Sequence, residues 1–298
     1  MQNHRQTLSK IERTFPSQKL VILYNRVPKC GSSLNNKLLE MTSYQGKRYF
    51  FFKRRKFENF SFPESARQSL INEISADRGV DIDRAWVYSL HFHYVQFPPT
   101  QRLRFEYINH IRDPIKRTLS QYAYVRAQCF SLNKDARCDL GHKKLRDVTL
   151  EECLTSIEIS RCTSPEYGVS PVIPFFSGPF KAEMNISSAQ SQEAALALAK
   201  KNIEKHYSYI GILEHMEQSL ELLEHIYPSL FSGIRAAYLY RLNKSRVYKT
   251  PVRFRQTLSN KSMEILRSAL KYEYDLYYFI LKQFANDYRQ AFNRDPLN

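Results

Sequence analysis

What is scarce in this sequence narrows its class first. Eight glycines in 298 residues rule out a collagen-like or glycine-rich low-complexity chain, and no internal repeat is found. No run of about 18 apolar residues occurs, so nothing in it reads as a membrane-spanning helix. The opening residues, MQNHRQTLSKIERTF, lack the apolar core of a signal peptide. That leaves a cytosolic protein or a lumenal portion whose anchor lies outside this stretch. The Gly-x-x-x-x-Gly-Lys-Ser/Thr spacing of a Walker A loop is missing. The five cysteines contain no Cys-x-x-Cys pair and no histidine pair at ligand spacing beside them, which argues against a zinc site. Acidic residues are in the minority: 29 Asp and Glu against 45 Lys and Arg leave a net charge of +16. A field of that sign attracts polyanions such as nucleic acid, anionic lipid or acidic polysaccharide. Composition does not choose among them.

Bulky core material is abundant. Hydrophobic residues make up 43% of the chain, with 20 Tyr and 19 Phe, so a packed domain is expected rather than disorder. Residues 1–18 are polar and aperiodic and read as a stem remnant or flexible N-terminus. Residues 19–292 read as one domain, followed by a tail at 293–298. Leu20–Tyr24 is a short apolar run of strand type, entering a loop with Pro28, Gly31, Ser32 and Ser33. Leu34, Leu38, Leu39 and Met41 then recur at helical spacing. Ala85–Leu90 and Tyr107–Ile111 read as further strands, the first ending at His91 and the second closed by Arg112-Asp113-Pro114. Asp113 suits a helix cap and Pro114 the first helical position. Residues 126–180 read as an irregular insertion. Ala194–Lys205 and Met216–Ile226 read as helices, Tyr209–Leu213 as a strand, and Met263–Phe292 as one long amphipathic helix. Strands alternating with helices imply an α/β domain with a parallel sheet.

The loop after Tyr24 has the makings of an anion cradle. A strand-to-helix loop points backbone N–H groups at whatever sits on the helix N-terminus. Gly31 admits a close backbone approach, Cys30 lies within the loop, Ser32 and Ser33 add hydroxyls, and Lys29 adds a mobile charge. Arg112 leaves a second strand end, and Ser120 follows two turns into the next helix. In doubly wound sheets ligands bind at the carboxyl ends of strands, and the arginine fork suits a terminal phosphate. Two anion sites on one nucleotide describe 3′-phosphoadenosine 5′-phosphosulfate (PAPS).

Cys129/Cys138 and Cys153/Cys162 are close pairs. They fit two local disulfides in an oxidising compartment or four ordinary reduced cysteines. Asn-x-Ser triplets at Asn59, Asn185, Asn243 and Asn260 permit a secretory route.

Tyr24–Lys29 and Ile111–Ile115 resemble the 5′-phosphosulfate and 3′-phosphate motifs of Golgi polysaccharide sulfotransferases. The likeness narrows to the uronosyl 2-O-sulfotransferases through His91–Phe97, Ile173–Gly178 and Ile210–Glu214. It spans about residues 20–290, and Cys30 in place of threonine resembles the uronyl type. The resemblance implies a P-loop-kinase-like sulfotransferase fold: a central parallel sheet flanked by helices, with a disulfide-stapled insertion. It implies PAPS as donor, no metal, a glycosaminoglycan acceptor rather than nucleic acid, and a Golgi-lumenal type II protein anchored outside this stretch. A homotrimer is also implied.

By position, His91 takes the place of the general base, for which histidine is suited. Lys29 bridges to the leaving phosphate. Arg26 touches the donor or the uronate carboxylate, and His93 orients substrate or shares the proton. Lys249 and Thr250, with Lys244 and Arg246, match an adenine/3′-phosphate lid. Arg126, Lys143, Lys144 and Arg146 read as a polyanion groove. Cys153/Cys162 matches a family disulfide, whereas Cys129/Cys138 replaces a pair that many relatives carry after Gly178. Alternatives are a hexosamine 4-O-sulfotransferase or a non-catalytic polyanion-binding protein.

Overall fold

Four consecutive residues, Val21 to Tyr24, are buried on both faces. A strand of that kind belongs in the middle of a parallel sheet. In a computed structural model, which describes residues 19–43, 49–52, 63–76, 85–98, 103–130, 148–156, 159–163, 169–178, 189–244 and 257–297, that is where it lies. Strand β1 (Lys19–Asn25) is flanked by β3 (Ala85–Leu90) and β4 (Leu103–Ile111). Strands β2 (Tyr49–Phe52) and β5 (Tyr207–Ile212) form the edges. The order is β2-β3-β1-β4-β5 and every pairing is parallel. The chain therefore steps to one side of β1 and then to the other, which opens a crevice at the carboxyl ends of β1, β3 and β4.

Helices α1 (Ser32–Ser43), α2 (Glu64–Ala76), α3 (Pro114–Phe130), α4 (Leu150–Ser156), α5 (Ala189–His206), α6 (Met216–Ile226), α7 (Ile234–Lys244), α8 (Asn260–Ala269) and α9 (Lys271–Phe292) accompany the sheet. Local signals start several of them. Asp113 caps α3, its Oδ1 accepting from the Lys116 N–H at 2.8 Å, and Pro114 is the first helical residue. Thr149 and Glu152 cap α4 reciprocally, Glu152 N–H to Thr149 Oγ1 at 3.1 Å and Thr149 N–H to Glu152 Oε2 at 2.6 Å. Among the described residues no helix is long and apolar enough to cross a membrane.

Three sequence expectations change. The long C-terminal helix is two helices, broken at Leu270. No glycine or proline causes the break. Beyond α3, which both touch, the two pieces pack on different partners: α8 on α4, α9 on β5, α5 and α6. The 126–180 segment is less irregular than expected. Helix α3 continues to Phe130, and α4 and single helical turns at Ile159–Cys162 and Pro174–Ser177 follow. β3 ends at Leu90, so His91 and His93 lie in an irregular strap beyond the strand.

A disulfide joins Cys153 of α4 to Cys162. Glu151 on the same helix accepts from Ser259 Oγ and Ser262 Oγ, both at 2.7 Å, so the stapled unit also holds the start of α8. The side chain of Cys129 and all of Cys138 lie outside the described residues.

The strand ends are held by two fully buried asparagines, Asn25 and Asn109. Asn109 Nδ2 donates to the Asn25 carbonyl at 2.7 Å and to Asn25 Oδ1 at 3.0 Å. Asn25 Nδ2 donates to the Phe175 carbonyl at 2.6 Å. The Tyr207 hydroxyl reaches the same carbonyl at 2.9 Å and Asn25 Oδ1 at 3.1 Å. Asn109 Oδ1 accepts from the His110 N–H at 2.8 Å. β1, β4, β5 and the Pro174–Ser177 turn are thereby tied at one point. Truncating one member strands the others in a dry interior. Asn109→Ala is expected to lower stability by about 3 kcal/mol, since each buried unsatisfied group costs about 1–3, as measured by urea unfolding.

Candidate active site

The β1 exit turns twice into the left-handed region, at Lys29 (φ 66°) and Gly31 (φ 80°). Lysine adopts this conformation only where its surroundings impose it. Gly31 is the residue type that tolerates it, and a Cβ there would stand 2.8 Å from Leu213 Cδ1. The first backbone bond of α1 runs from the Asn35 N–H to the Gly31 carbonyl at 3.0 Å. The N–H groups of Ser32, Ser33 and Leu34 therefore have no acceptor within the helix and face its end. Ser32 Oγ donates to the Val27 carbonyl at 3.2 Å and closes the loop on itself. Ser33 is exposed at the rim. Cys30 is buried, and burial above all pushes its thiol up to about 12. It is a packing residue rather than a thiolate nucleophile.

Positive charge collects here with little acid to balance it. Arg26 is buried, its Nε without an acceptor among the described residues, and burial lowers its pKa. Burial first, and Arg112 second, bring Lys29 down to about 8. Its ammonium sits over the Tyr124 ring, 4.0 Å from the centroid. Arg112 leaves β4 with its Nε 3.9 Å from Glu214 Oε1. The Glu214 carboxylate also accepts from the Asp113 N–H, at 3.2 and 3.3 Å. Ser120 is half-buried on α3, one turn before Tyr124 on the same helix face.

The histidine strap is moored to this loop. The Arg26 N–H donates to the Leu90 carbonyl at 2.8 Å. His91 Nδ1 lies 2.8 Å from the Arg26 carbonyl. A carbonyl only accepts, so Nδ1 carries the proton in that bond and the neutral ring keeps its lone pair at Nε2. Further along, the Tyr94 N–H donates to the Pro174 carbonyl at 3.2 Å, the Tyr107 hydroxyl to the Val95 carbonyl at 2.6 Å, and Arg67 to the Gln96 carbonyl at 2.9 Å. His93 packs edge-on against Phe175, and burial lowers it to about 4, so it is neutral at pH 7.

Arg26, Lys29, Cys30, Gly31, Ser32 and Ser33 thus share one loop, with His91 bonded to it and Arg112 acting on Lys29. Arg126 lies further along α3, near Glu152. Lys143, Lys144, Arg146, Lys249 and Thr250 lie outside the described residues, as does the side chain of Lys244. No sequence motif marks Tyr124, four residues after Ser120, or gives Glu214 a role, and none marks Asn25 and Asn109 as the ties that hold the loop.

A phosphate-type loop at the switch point of a parallel sheet, with a second cation at the next strand end, defines a class. Residues 12–280 match the sulfotransferase family, and the chain belongs to it. The uronyl 2-sulfotransferase of Mus musculus is 29% identical over 274 residues, 91% of this chain and 63% of that protein. The heparin sulfate O-sulfotransferase of Drosophila melanogaster is 29% identical over 289 residues, 93% of this chain and 76% of its own length. The heparan sulfate 2-O-sulfotransferase 1 of Homo sapiens is 28% identical over 276 residues, 90% of this chain and 71% of its own length. The chain spans 63% of the length of the uronyl relatives it matches.

Gly31→Ala tests the cradle. A left-handed L-residue costs about 1–2 kcal/mol, so denaturant unfolding is expected to show a loss of that size. Pyrophosphate binding, measured by calorimetry, should weaken as the loop relaxes.

Proposed function

We propose that this protein transfers a sulfuryl group from PAPS to the 2-hydroxyl of a uronic acid in a glycosaminoglycan. The observation that carries the reading is the bond from His91 Nδ1 to the Arg26 carbonyl. It fixes the tautomer that a general base requires and hangs that base from the loop that carries Lys29. The cationic cradle fits a nucleotide with two anionic ends: Arg26 Nε is a buried donor in want of an acceptor, and Lys29 and Arg112 crowd each other.

Bound there, PAPS supplies a sulfuryl group carried on a phosphate. The N–H groups opening α1, with Lys29, hold the 5′ end, and Arg112 with Ser120 holds the 3′-phosphate. The lid residues Lys249 and Thr250 belong to the same reading. His91 Nε2 takes the proton of the acceptor hydroxyl as that oxygen turns nucleophilic. Lys29 meets the negative charge that develops on the departing phosphate oxygen. Arg26 pairs with the donor or with an acceptor carboxylate, and neutral His93 offers a hydrogen bond without adding charge. Arg126, Lys143, Lys144 and Arg146 would follow a polyanionic chain. The names of the relatives support a uronyl or heparan sulfate acceptor; a dermatan/chondroitin acceptor and a Golgi lumen rest on the resemblance of the motifs alone. The homotrimer and the external anchor implied by the resemblance are part of this proposal.

His91→Ala is expected to lower kcat at least about 100-fold while leaving the Kd for 3′-phosphoadenosine 5′-phosphate (PAP) within about twofold. Lys29→Ala should weaken both. Equal loss of PAP affinity in the two variants would refute the assigned roles. With ³⁵S-labelled PAPS and a panel of desulfated polysaccharides, disaccharide analysis should find label on the uronate. Label confined to hexosamine would identify a different carbohydrate sulfotransferase.

A further inference from the structure

Lys29 has an unusual neighbour for a half-buried ammonium. Among the described residues no carboxylate pairs with it. Its Nζ sits instead on the face of Tyr124, 4.0 Å from the ring centroid. The groups acting on it are Arg112 from the end of β4, Cys30 from its own loop and Tyr124 from α3, and Arg112 is itself faced by Glu214. A lysine has four flexible bonds and no preferred direction of its own. Two features here supply one. The left-handed backbone at Lys29 sets where the chain leaves the loop, and the ring sets where it stops.

We propose that Tyr124 is the positioning residue for Lys29, an aromatic seat that aims the ammonium without neutralising it. The physical advantage is specific to an anionic ligand. A carboxylate would hold the lysine more firmly, but it would repel the phosphates that the cradle binds. An aromatic face attracts a cation through its quadrupole and carries no net charge. It opposes the drop in proton affinity that burial and Arg112 impose on Lys29. The ring, rather than the hydroxyl, is the active part, so phenylalanine should serve as well. This inference rests on the donor reading above.

The test compares Tyr124→Phe, Tyr124→Leu and Tyr124→Met, the last keeping bulk without a π face, by calorimetric titration with PAP from pH 6 to pH 9.5. In the unaltered protein, affinity should fall as pH rises through about 8, where Lys29 loses its proton. Tyr124→Phe should superimpose on that curve. In Tyr124→Leu and Tyr124→Met the fall should move down by about one unit, a tenfold change in the proton affinity of Lys29. Near pH 7.5 this gives about a threefold loss of PAP affinity that recovers at pH 6. In a Lys29→Ala background, Tyr124→Leu should add nothing.

A second measurement does not depend on the donor. The pH dependence of Lys29 acetylation by trace acetic anhydride, read by peptide mass spectrometry, should show the same one-unit displacement. Unmoved labelling midpoints in the leucine and methionine variants would overturn the seat, and so would an equal affinity loss at every pH. Absence of PAP binding by the unaltered protein, with the labelling midpoint displaced as expected, would instead overturn the donor reading and leave the seat standing.

Discussion

The Asn25–Asn109 contact sets the position of everything that acts at the crevice. Both amides are fully buried, and each uses its donor on a backbone carbonyl. Because Asn25 is the last residue of β1, the loop after it starts from a fixed point. Because Asn109 lies two residues before the end of β4, Arg112 leaves from a point fixed relative to the first. The Phe175 carbonyl brings in the turn on which His93 packs. One set of hydrogen bonds therefore gives a common origin to the cradle, Arg112 and the histidine strap. Placement is the main contribution a protein makes to group transfer between bound partners.

Around that origin the electrostatics are deliberately unbalanced. Burial of Arg26 and Lys29 disfavours their charged forms, and each would be more comfortable beside an acid. The Glu214 carboxylate is near, but it is engaged by the Asp113 N–H and touches Arg112 at its Nε. Cations left unneutralised in a dry crevice favour an anion over a neutral molecule there. The contrast with Arg117 is instructive. That guanidinium is wholly buried yet bonded to Gln121 at 2.7 Å and Glu273 at 3.2 Å, so it holds α3 to α9 and has little charge left to offer a ligand.

Legibility followed the range of each interaction. The Asp113-Pro114 start of α3 and the strand–loop–helix at Tyr24–Leu34 are encoded in a few adjacent residues, and the sequence exposed them. The parallel sheet followed from buried apolar runs alternating with helical periods. The bond from His91 to Arg26 spans 65 residues and the ties from Asn109 to Asn25 span 84, and no local pattern announces either. Tyr124 resembles any other tyrosine on a helix until the loop folds back over it. The break at Leu270 was invisible for a related reason: it comes from what α8 and α9 touch, not from the residue at the joint.

The central strand also governs how the chain is made. Val21 pairs with Trp86 on one side and with Phe105 on the other. On a ribosome, this strand emerges before either neighbour and waits for both to be synthesised, several seconds at about 5–20 residues per second. The last strand to join, β5, must wait for Tyr207. An apolar segment with both edges open through that interval is a template for wrong pairing. The topology that creates the crevice thus leaves its floor exposed during synthesis, and makes folding depend on contacts distant in sequence.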